Sequence, residues 1–135
     1  INLTEGYDED ATEPADHLIA EKYIAQGTKI VVIKHGKAGS IAYTADKKAY
    51  KVSSYNIKLL KSFGGGDAYG SAFVYGLLEG WSVADSLQHG TAHAAMVVAS
   101  HSCSNAMQTV EQIDAFMTEH KAEKVITEIA WEAAL

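Results

Sequence analysis

The chain has 135 residues, of which 47% are hydrophobic and 21% are charged, and its formal net charge is −6. This length and apolar content predict one domain around a single core. The acidic balance disfavours a nucleic-acid partner, which needs a basic surface, although a few local donors can still hold a small anion. The sequence has no apolar run of about 18 residues and its acidic start differs from a signal peptide, so we expect a cytoplasmic protein with no membrane partner.

The first half of the chain predicts a helix and then three strands, over 15–26, 29–34, 40–44 and 49–53. Pro14 and Gly27 bound the helix, and apolar residues recur between them at helical spacing. The uninterrupted apolar run of the first strand is typical of a strand buried on both faces. Asp46 and Lys47 predict a hairpin turn between the other two strands.

The second half predicts three helices, over 67–79, 83–101 and 109–117. Gly80 ends the first of them, small residues in the second permit close packing, and Thr109 with Gln112 forms a candidate capping box for the third. The tail, 121–135, has partly helical spacing of apolar residues and is predicted as helical. This order of elements predicts a layered α/β unit.

A glycine cluster ahead of the first of these helices carries the strongest sign of chemistry. Gly64, Gly65 and Gly66 let the backbone turn successive N–H groups toward one point. With the positive end of the helix dipole, these donors form a site for phosphate charge. Asp67 follows in the first turn, where a carboxylate could accept the proton of an attacking hydroxyl, as phosphoryl transfer requires. The glycines alone also fit an ordinary loop with an acid at the helix start, and the Gly-Lys-Ser/Thr ending of a Walker loop is absent.

This cluster resembles the signature of a known enzyme family. Gly64-Gly65-Gly66-Asp67 is similar to the Gly-Ala-Gly-Asp signature of the PfkB, or ribokinase-like, sugar kinases, and 32–39 resembles the strand and glycine turn that contact the nucleotide in that family. The segments 32–36, 66–73 and 101–107 add a likeness, within the family, to sugar-acid kinases of inositol catabolism. The resemblance covers roughly 16–117 and implies a Rossmann-like, ribokinase-type layered α/β fold, with ATP and Mg²⁺ as cofactors.

The resemblance also implies roles for individual residues. Asp67 matches the catalytic base that activates the sugar hydroxyl, and the three glycines match the anion hole for the transferring phosphoryl group. The nucleotide turn corresponds, together with Gly66, to Lys34, His35, Gly36, Lys37 and Gly39. The residues that fall where the family contacts adenine are Thr91, Ala92 and Ala95. No metal ligand set within the chain is predicted.

Two departures from the family pattern affect the site. Gly65 replaces the middle alanine of the signature, a change that keeps the backbone donor. Lys61 stands where many members carry an aspartate that helps bind a monovalent cation. We therefore hypothesise that the Lys61 ammonium replaces this ion.

The resemblance predicts that the chain is only part of a kinase. Family members are much longer and place their sugar-binding residues, lid and Asn-x-x-Glu motif upstream of this region. Asn2 to Glu5 match the letters of that motif but stand too close to the Gly36 turn, so we treat the match as coincidence. The expected organisation is the C-terminal part of a kinase domain over 1–120, followed by the tail.

Other candidate sites in the sequence are weaker. His89 and His93 have a spacing that can ligate zinc, but Gly90 stands where a metalloprotease helix has glutamate, and a packing or surface role is favoured. Cys103 is the single cysteine, so it forms no internal disulfide, and it is interpreted as a free thiol. The acidic residues of 5–13 lack the ligand order of a calcium loop and predict a solvated face.

The sequence therefore predicts the catalytic-base and ATP-binding half of a kinase for a hydroxyl of a sugar or sugar acid. The isolated chain need not be active, because it lacks most of the sugar side. Two alternatives stay open: a non-catalytic nucleotide-binding fragment, and a PfkB kinase for another sugar such as fructose, ribose or a nucleoside. The sequence also leaves open whether the protein assembles as a homo-oligomer.

Overall fold

A computed structural model describes residues 15–35, 38–57, 64–99 and 109–132. Its elements are α1 (Asp16–Ala25), β1 (Ile30–Lys34), β2 (Ser40–Thr44), β3 (Ala49–Val52), α2 (Gly65–Leu78), α3 (Val83–Val98), α4 (Val110–Glu119) and β4 (Ile126–Ile129). The predicted helices and the three predicted strands are confirmed, with small differences at their ends. The capping box is confirmed as well, because the Thr109 side chain accepts from the Gln112 amide and the Gln112 side chain accepts from the Thr109 amide.

The strands form an antiparallel sheet in the order β1-β2-β3-β4. The predicted hairpin turn joins β2 to β3, and Lys47 adopts the left-handed conformation there with φ 67°. Gly39 ends the turn between β1 and β2 at φ 94°, and a Cβ on it would lie 2.1 Å from the Val52 carbonyl oxygen. Only glycine fits this position, because a side chain would be strained by the backbone angle and blocked by the neighbouring strand.

Helices cover both faces of the sheet, which gives the predicted layers. Ala20 of α1 packs on one face, in a cluster with Ile33, Ile41 and Tyr43. Leu87 of α3 packs on the opposite face, in a cluster that includes Ala42 and Val52, and Tyr69 and Phe73 of α2 join it there. The alternation of side chains along a strand explains this division, since neighbouring residues point to opposite faces.

The burial of β1 differs from its prediction. Among its residues only Ile33 is buried, whereas 30–32 are half-buried and Lys34 is exposed. All five residues of β2 are buried instead. The physical reason is position, because β1 is an edge strand of the described sheet and β2 is flanked by strands on both sides.

The helical prediction for the tail is wrong over 126–129, where the structure has strand β4. This segment pairs antiparallel with β3, and the Ser53 amide donates to the Val125 carbonyl oxygen at 2.8 Å. Beyond the strand, Trp131 packs edge-on against Tyr43, with 5.0 Å between ring centroids. Pairing with the open side of β3 and burial of Trp131 outweigh the weak helical spacing, which offers no comparable face to the core.

Glycines stand where helices α2 and α3 meet, and a side chain at these positions would clash. A Cβ on Gly76 would lie 2.6 Å from Ser86 Oγ, and a Cβ on Gly90 would lie 2.8 Å from the Tyr69 carbonyl oxygen. At the start of α2, a Cβ on Gly65 would lie 2.8 Å from Val98 Cγ1. The close approach fixes the start of α2 against the end of α3.

Candidate active site

The candidate site is built on the N-terminus of α2. Gly64 is the N-cap residue and adopts φ 87°, which favours glycine, and it offers no side-chain cap. The first hydrogen bond within the helix joins the Ala68 amide to the Gly64 carbonyl oxygen at 3.1 Å. The amides of 65–67 precede it and have no acceptor in the helix. Three donors at the positive end of the dipole therefore form a binding site for anionic charge.

The two helical glycines of the cluster have different surroundings. Gly65 is buried against Val98 of α3, whereas Gly66 is exposed. A Cβ on Gly66 would lie 3.2 Å from Lys34 Nζ. The structure therefore brings together two residues predicted to serve the nucleotide, and the open surface at Gly66 lets an anion approach the amides.

Asp67 is exposed in the first turn of α2. Its carboxylate lies in the same first turn as the amides of 65–67. The same helix start thus carries donors for a phosphoryl group and an acceptor for a hydroxyl proton. This is the arrangement that the sequence predicted for Gly64, Gly65, Gly66 and Asp67, whose chemical roles stay predictions.

Lys34 brings a positive charge to this helix start. It lies at the end of β1 on the α2 side of the sheet, and its Nζ is 5.9 Å from the centroid of the Tyr69 ring. Among the residues that the structure describes, no carboxylate lies within ion-pair distance of Lys34. Its charge is therefore available to a bound anion.

Tyr69 and Ser40 are neighbours of the site that the sequence did not predict. Ser40 is the partner of Lys34 in the register of β1 and β2, and its Oγ lies 3.3 Å from the Tyr69 hydroxyl. Burial raises the pKa of Tyr69, and hydrogen bonds to Ser40 and Thr91 oppose that rise. The signal in the sequence was the position of Tyr69, one helical turn after Gly65 and Gly66. Its partner depends on strand register, which no local motif specifies.

The side chain of His35 lies away from the site. Its Nε2 is 2.6 Å from Asp16 Oδ2 on α1, across the sheet from α2. Because neighbouring residues of a strand point to opposite faces, Lys34 and His35 cannot both face the start of α2. The His35 amide donates to the Gly39 carbonyl oxygen at 2.8 Å, so the backbone of the predicted nucleotide turn is hydrogen-bonded. The nucleotide contact of His35 stays a prediction, without support from its side chain.

The residues predicted to contact adenine are buried in α3. The Thr91 hydroxyl donates to the Leu87 carbonyl oxygen at 2.8 Å. Ala92 and Ala95 belong to a core cluster whose other buried members are Tyr55, Ile113 and Val125. These side chains cover the two methyl groups in the described structure, and the adenine contact stays a prediction.

The two histidines with zinc spacing are both buried. His89 Nδ1 lies 3.7 Å from Asp114 Oδ1, and its ring packs edge-on against Trp81 with 4.8 Å between centroids. Burial lowers the pKa of His89 and of His93. Within the described ranges no group of three or more His, Cys, Asp or Glu side chains is placed to hold a metal ion. The positions are those of packed interior residues.

Several predicted residues lie outside the described ranges, and their roles stay predictions. They are Gly36, Lys37, Lys61 and Cys103, with the acidic run 5–13 and the Asn2–Glu5 match.

The geometry defines an α/β protein in which backbone donors and an exposed carboxylate lie at one helix N-terminus. Comparison with known families agrees, because the family described as pfkB family carbohydrate kinase matches residues 8–110. The chain belongs to this family. Its fold is accordingly of the ribokinase type. None of the helices in the described ranges is long and apolar enough to cross a bilayer.

Individual members of the family are also similar to this chain. The chain is 62% identical over 109 residues to a 5-dehydro-2-deoxygluconokinase of Clostridium beijerinckii, covering 81% of this chain and 32% of that protein. A 5-dehydro-2-deoxygluconokinase of Clostridium perfringens is 58% identical over 113 residues, covering 84% of this chain and 33% of that protein. A crystal structure of a candidate ribokinase II from E. coli, in complex with ATP and Mg²⁺, shares the fold with a TM-score of 0.72 and 23% identity, over 84% of this chain and 36% of that one. The chain thus spans about a third of the length of the curated relatives it matches.

Proposed function

We propose that this chain is the catalytic-base and nucleotide-binding part of a kinase that transfers the γ-phosphoryl group of ATP to a hydroxyl of 5-dehydro-2-deoxygluconate. The observation that carries the proposal is the helix start, where free amides, the Lys34 ammonium and the Asp67 carboxylate occur together. The identity with the two clostridial kinases supports the substrate class. A cytoplasmic role in inositol catabolism belongs to the same proposal.

The proposed reaction assigns one task to each group. Asp67 accepts the proton of the substrate hydroxyl while its oxygen attacks the γ-phosphorus and the bond to the β-phosphate oxygen breaks. The amides of 65–67 stabilise the negative charge on the phosphoryl oxygens as it develops. The Lys34 ammonium lies close enough to Gly66 to neutralise part of that charge.

Magnesium fits this site as an ion held mainly by phosphate. Asp67 is the acid at the helix start, and the described residues contain no cage of three or more acidic or imidazole side chains. Mg²⁺ usually takes one or two carboxylates together with phosphate oxygens and water, so no larger protein cage is needed. Bound in this way, it neutralises phosphate charge.

A second candidate function is nucleotide binding without turnover. It is favoured by length, because the chain covers only about a third of each clostridial relative. Titration of the full-length kinase that carries this segment with ATP, followed by a phosphorylation assay, separates the two functions. Binding without turnover identifies a non-catalytic nucleotide-binding protein, whereas turnover identifies a kinase.

The test of the base uses the full-length kinase that carries this segment. Asp67→Asn keeps the shape but removes the proton acceptor, and we expect kcat to fall by about 10²-fold or more while the KM for ATP stays within about twofold. Asp85→Asn is the matched control, because Asp85 is also an exposed acid in the first turn of a helix, α3. Unchanged turnover in Asp67→Asn would show that the base is wrongly assigned.

Two further assays test which sugar is the phosphoryl acceptor and whether Lys61 replaces a monovalent cation. Comparison of 5-dehydro-2-deoxygluconate with fructose, ribose and a nucleoside identifies the acceptor, and a higher kcat/KM for one of the others would contradict the proposed substrate.

If the Lys61 ammonium replaces a monovalent cation, activity will not depend on added potassium. Strong activation by potassium would exclude that role.

A further inference from the structure

Tyr69 connects the lysine at the candidate site to the interior of the fold. Its ring lies beside the Lys34 ammonium, 5.9 Å from the nitrogen, and its hydroxyl lies 3.3 Å from Ser40 Oγ on β2. One side chain of α2 thus lies beside groups on β1 and β2.

The Tyr69 hydroxyl and Ser40 Oγ form one hydrogen bond, in which either oxygen can be the donor. Because Tyr69 lies on α2 and Ser40 on β2, this bond holds the Tyr69 ring against the sheet in one orientation.

Lys34 has few other contacts that could hold its ammonium in place. It is exposed, its side chain has four rotatable carbons, and the described structure places no carboxylate within ion-pair distance of it. Its nitrogen lies 5.9 Å from the centroid of the Tyr69 ring and 3.2 Å from the position that a Cβ on Gly66 would occupy. An ammonium near an aromatic face is attracted to it, so the orientation of the ring decides where the charge lies.

We propose that Tyr69 is a positioning residue that holds the Lys34 ammonium at the first turn of α2, where it binds the terminal phosphates of the nucleotide. This inference takes its ligand, a nucleotide, from the proposed function. The site should bind nucleotides with more phosphates more tightly, because the contribution of Lys34 to binding grows with the negative charge at the helix start.

The test is calorimetric titration of the full-length kinase that carries this chain with ATP, AMP and tripolyphosphate, for the parent, Lys34→Met, Tyr69→Phe and the double variant. We expect Lys34→Met to weaken ATP binding about tenfold and AMP binding by less than about twofold. Tyr69→Phe keeps the ring but loses the hydrogen bond to Ser40, and we expect a loss of about threefold for ATP. In the Lys34→Met background the same change should have no further effect, because the group that it positions is gone.

Controls separate positioning from a structural effect. Tyr75→Phe removes a hydroxyl from an exposed tyrosine of the same helix and should leave ATP binding unchanged. Thermal unfolding of Tyr69→Phe shows how far the lost hydrogen bonds affect folding. If Tyr69→Phe weakens ATP binding equally with and without Lys34, or not at all, the positioning role is overturned.

The three probes also distinguish a failure of this inference from a failure of the proposed function. Binding of ATP without coupling between Tyr69 and Lys34 overturns the inference and leaves the proposed function intact. Binding of tripolyphosphate with this coupling, but no binding of ATP, supports the inference and contradicts the nucleotide assignment. If the parent chain binds neither probe, both are overturned.

Discussion

Gly65 and Gly66 are neighbours in the chain, yet a side chain at each would meet a different kind of atom. At Gly65 the Cβ would lie 2.8 Å from Val98 Cγ1, inside the packed contact between α2 and α3. At Gly66 it would lie 3.2 Å from Lys34 Nζ, the far end of a flexible and exposed side chain. The first glycine is therefore needed for packing and the second for access to the amides.

This difference predicts different effects of the same substitution. We expect Gly65→Ala to lower the free energy of unfolding by about 1–2 kcal/mol, since the clash outweighs the higher helix propensity of alanine. Gly66→Ala should change it by less than about 0.5 kcal/mol, because Lys34 can move aside, but should weaken ATP binding. Urea unfolding of both variants measures the effect on stability. Equal destabilisation would contradict the assignment of the two glycines.

The glycines with positive φ form a second matched pair. Gly39 and Gly27 have φ of 94° and 103°, but a Cβ on Gly39 would meet the Val52 carbonyl oxygen, whereas one on Gly27 would meet nothing within 4 Å. We expect Gly27→Ala to cost about 1–2 kcal/mol from backbone strain alone, and Gly39→Ala to cost more than about 3 kcal/mol. Chemical denaturation of the two variants gives the comparison, and similar losses would show that the hairpin can open to accept the side chain.

At this scale the sequence predicts part of the site. The glycine cluster and Asp67 are contiguous, so local pattern is enough to place them at one helix start. Lys34 was assigned to the nucleotide through a resemblance, and the structure places it beside Gly66. Tyr69 and Ser40 could not be assigned, because their contact depends on the register of β1 and β2 and on the packing of α2 over the sheet.

At the scale of elements, the helices over the sheet are held by a few buried side chains. Leu87 of α3 is fully buried in the cluster that packs on Ala42 and Val52, whereas Leu78 at the end of α2 is 81% exposed. Both residues are leucines in helices, so they have the same intrinsic helix propensity and differ in burial. Their comparison therefore isolates the contribution of packing on the sheet.

We expect Leu87→Ala to lower the free energy of unfolding by about 2–5 kcal/mol, through lost burial and the cavity that remains. Leu78→Ala should change it by less than about 0.5 kcal/mol. The measurement is urea unfolding followed by far-ultraviolet circular dichroism. A comparable loss in Leu78→Ala would mean that the exposed end of α2 is packed in solution.

Elements were predictable from sequence where their signal is local. The capping box of α4 and the hairpin between β2 and β3 depend on residues within a few positions of each other. The helical prediction over 126–129 was wrong although three of these four residues are β-branched, because so short a segment cannot be told from a helix by spacing and its structure depends on pairing with β3, distant in sequence. The burial of β1 was overestimated for a related reason, since an apolar run does not reveal whether a strand lies at the edge of a sheet.

At the scale of the whole molecule, two buried imidazoles link the packing of the helices to pH. His89 packs on Trp81 and faces Asp114 of α4, while His93 interacts with the Ala68 backbone of α2 and with His89. Burial lowers the pKa of each, with Asp114 opposing the shift at His89 and the Ala68 backbone opposing it at His93. Both imidazoles are therefore neutral in the folded protein over a range where an unfolded histidine, with a pKa of about 6.5, becomes protonated.

Because the unfolded chain then binds more protons than the folded one, the free energy of unfolding falls as the pH drops below about 6.5. The contribution of neutral histidines is fully present above that pH, and two of them set an upper limit of about 2.7 kcal/mol per pH unit on the slope. The lowered pKa of the Glu123 carboxyl, caused first by its hydrogen bond with the Asn56 backbone, affects stability only at lower pH. Urea unfolding between about pH 7.5 and 5 should show this decline, and His89→Gln should reduce its slope by removing one of the two groups. An equal slope in the parent and in His89→Gln would exclude His89 as a source of the acid sensitivity, since no other side chain changes in that comparison.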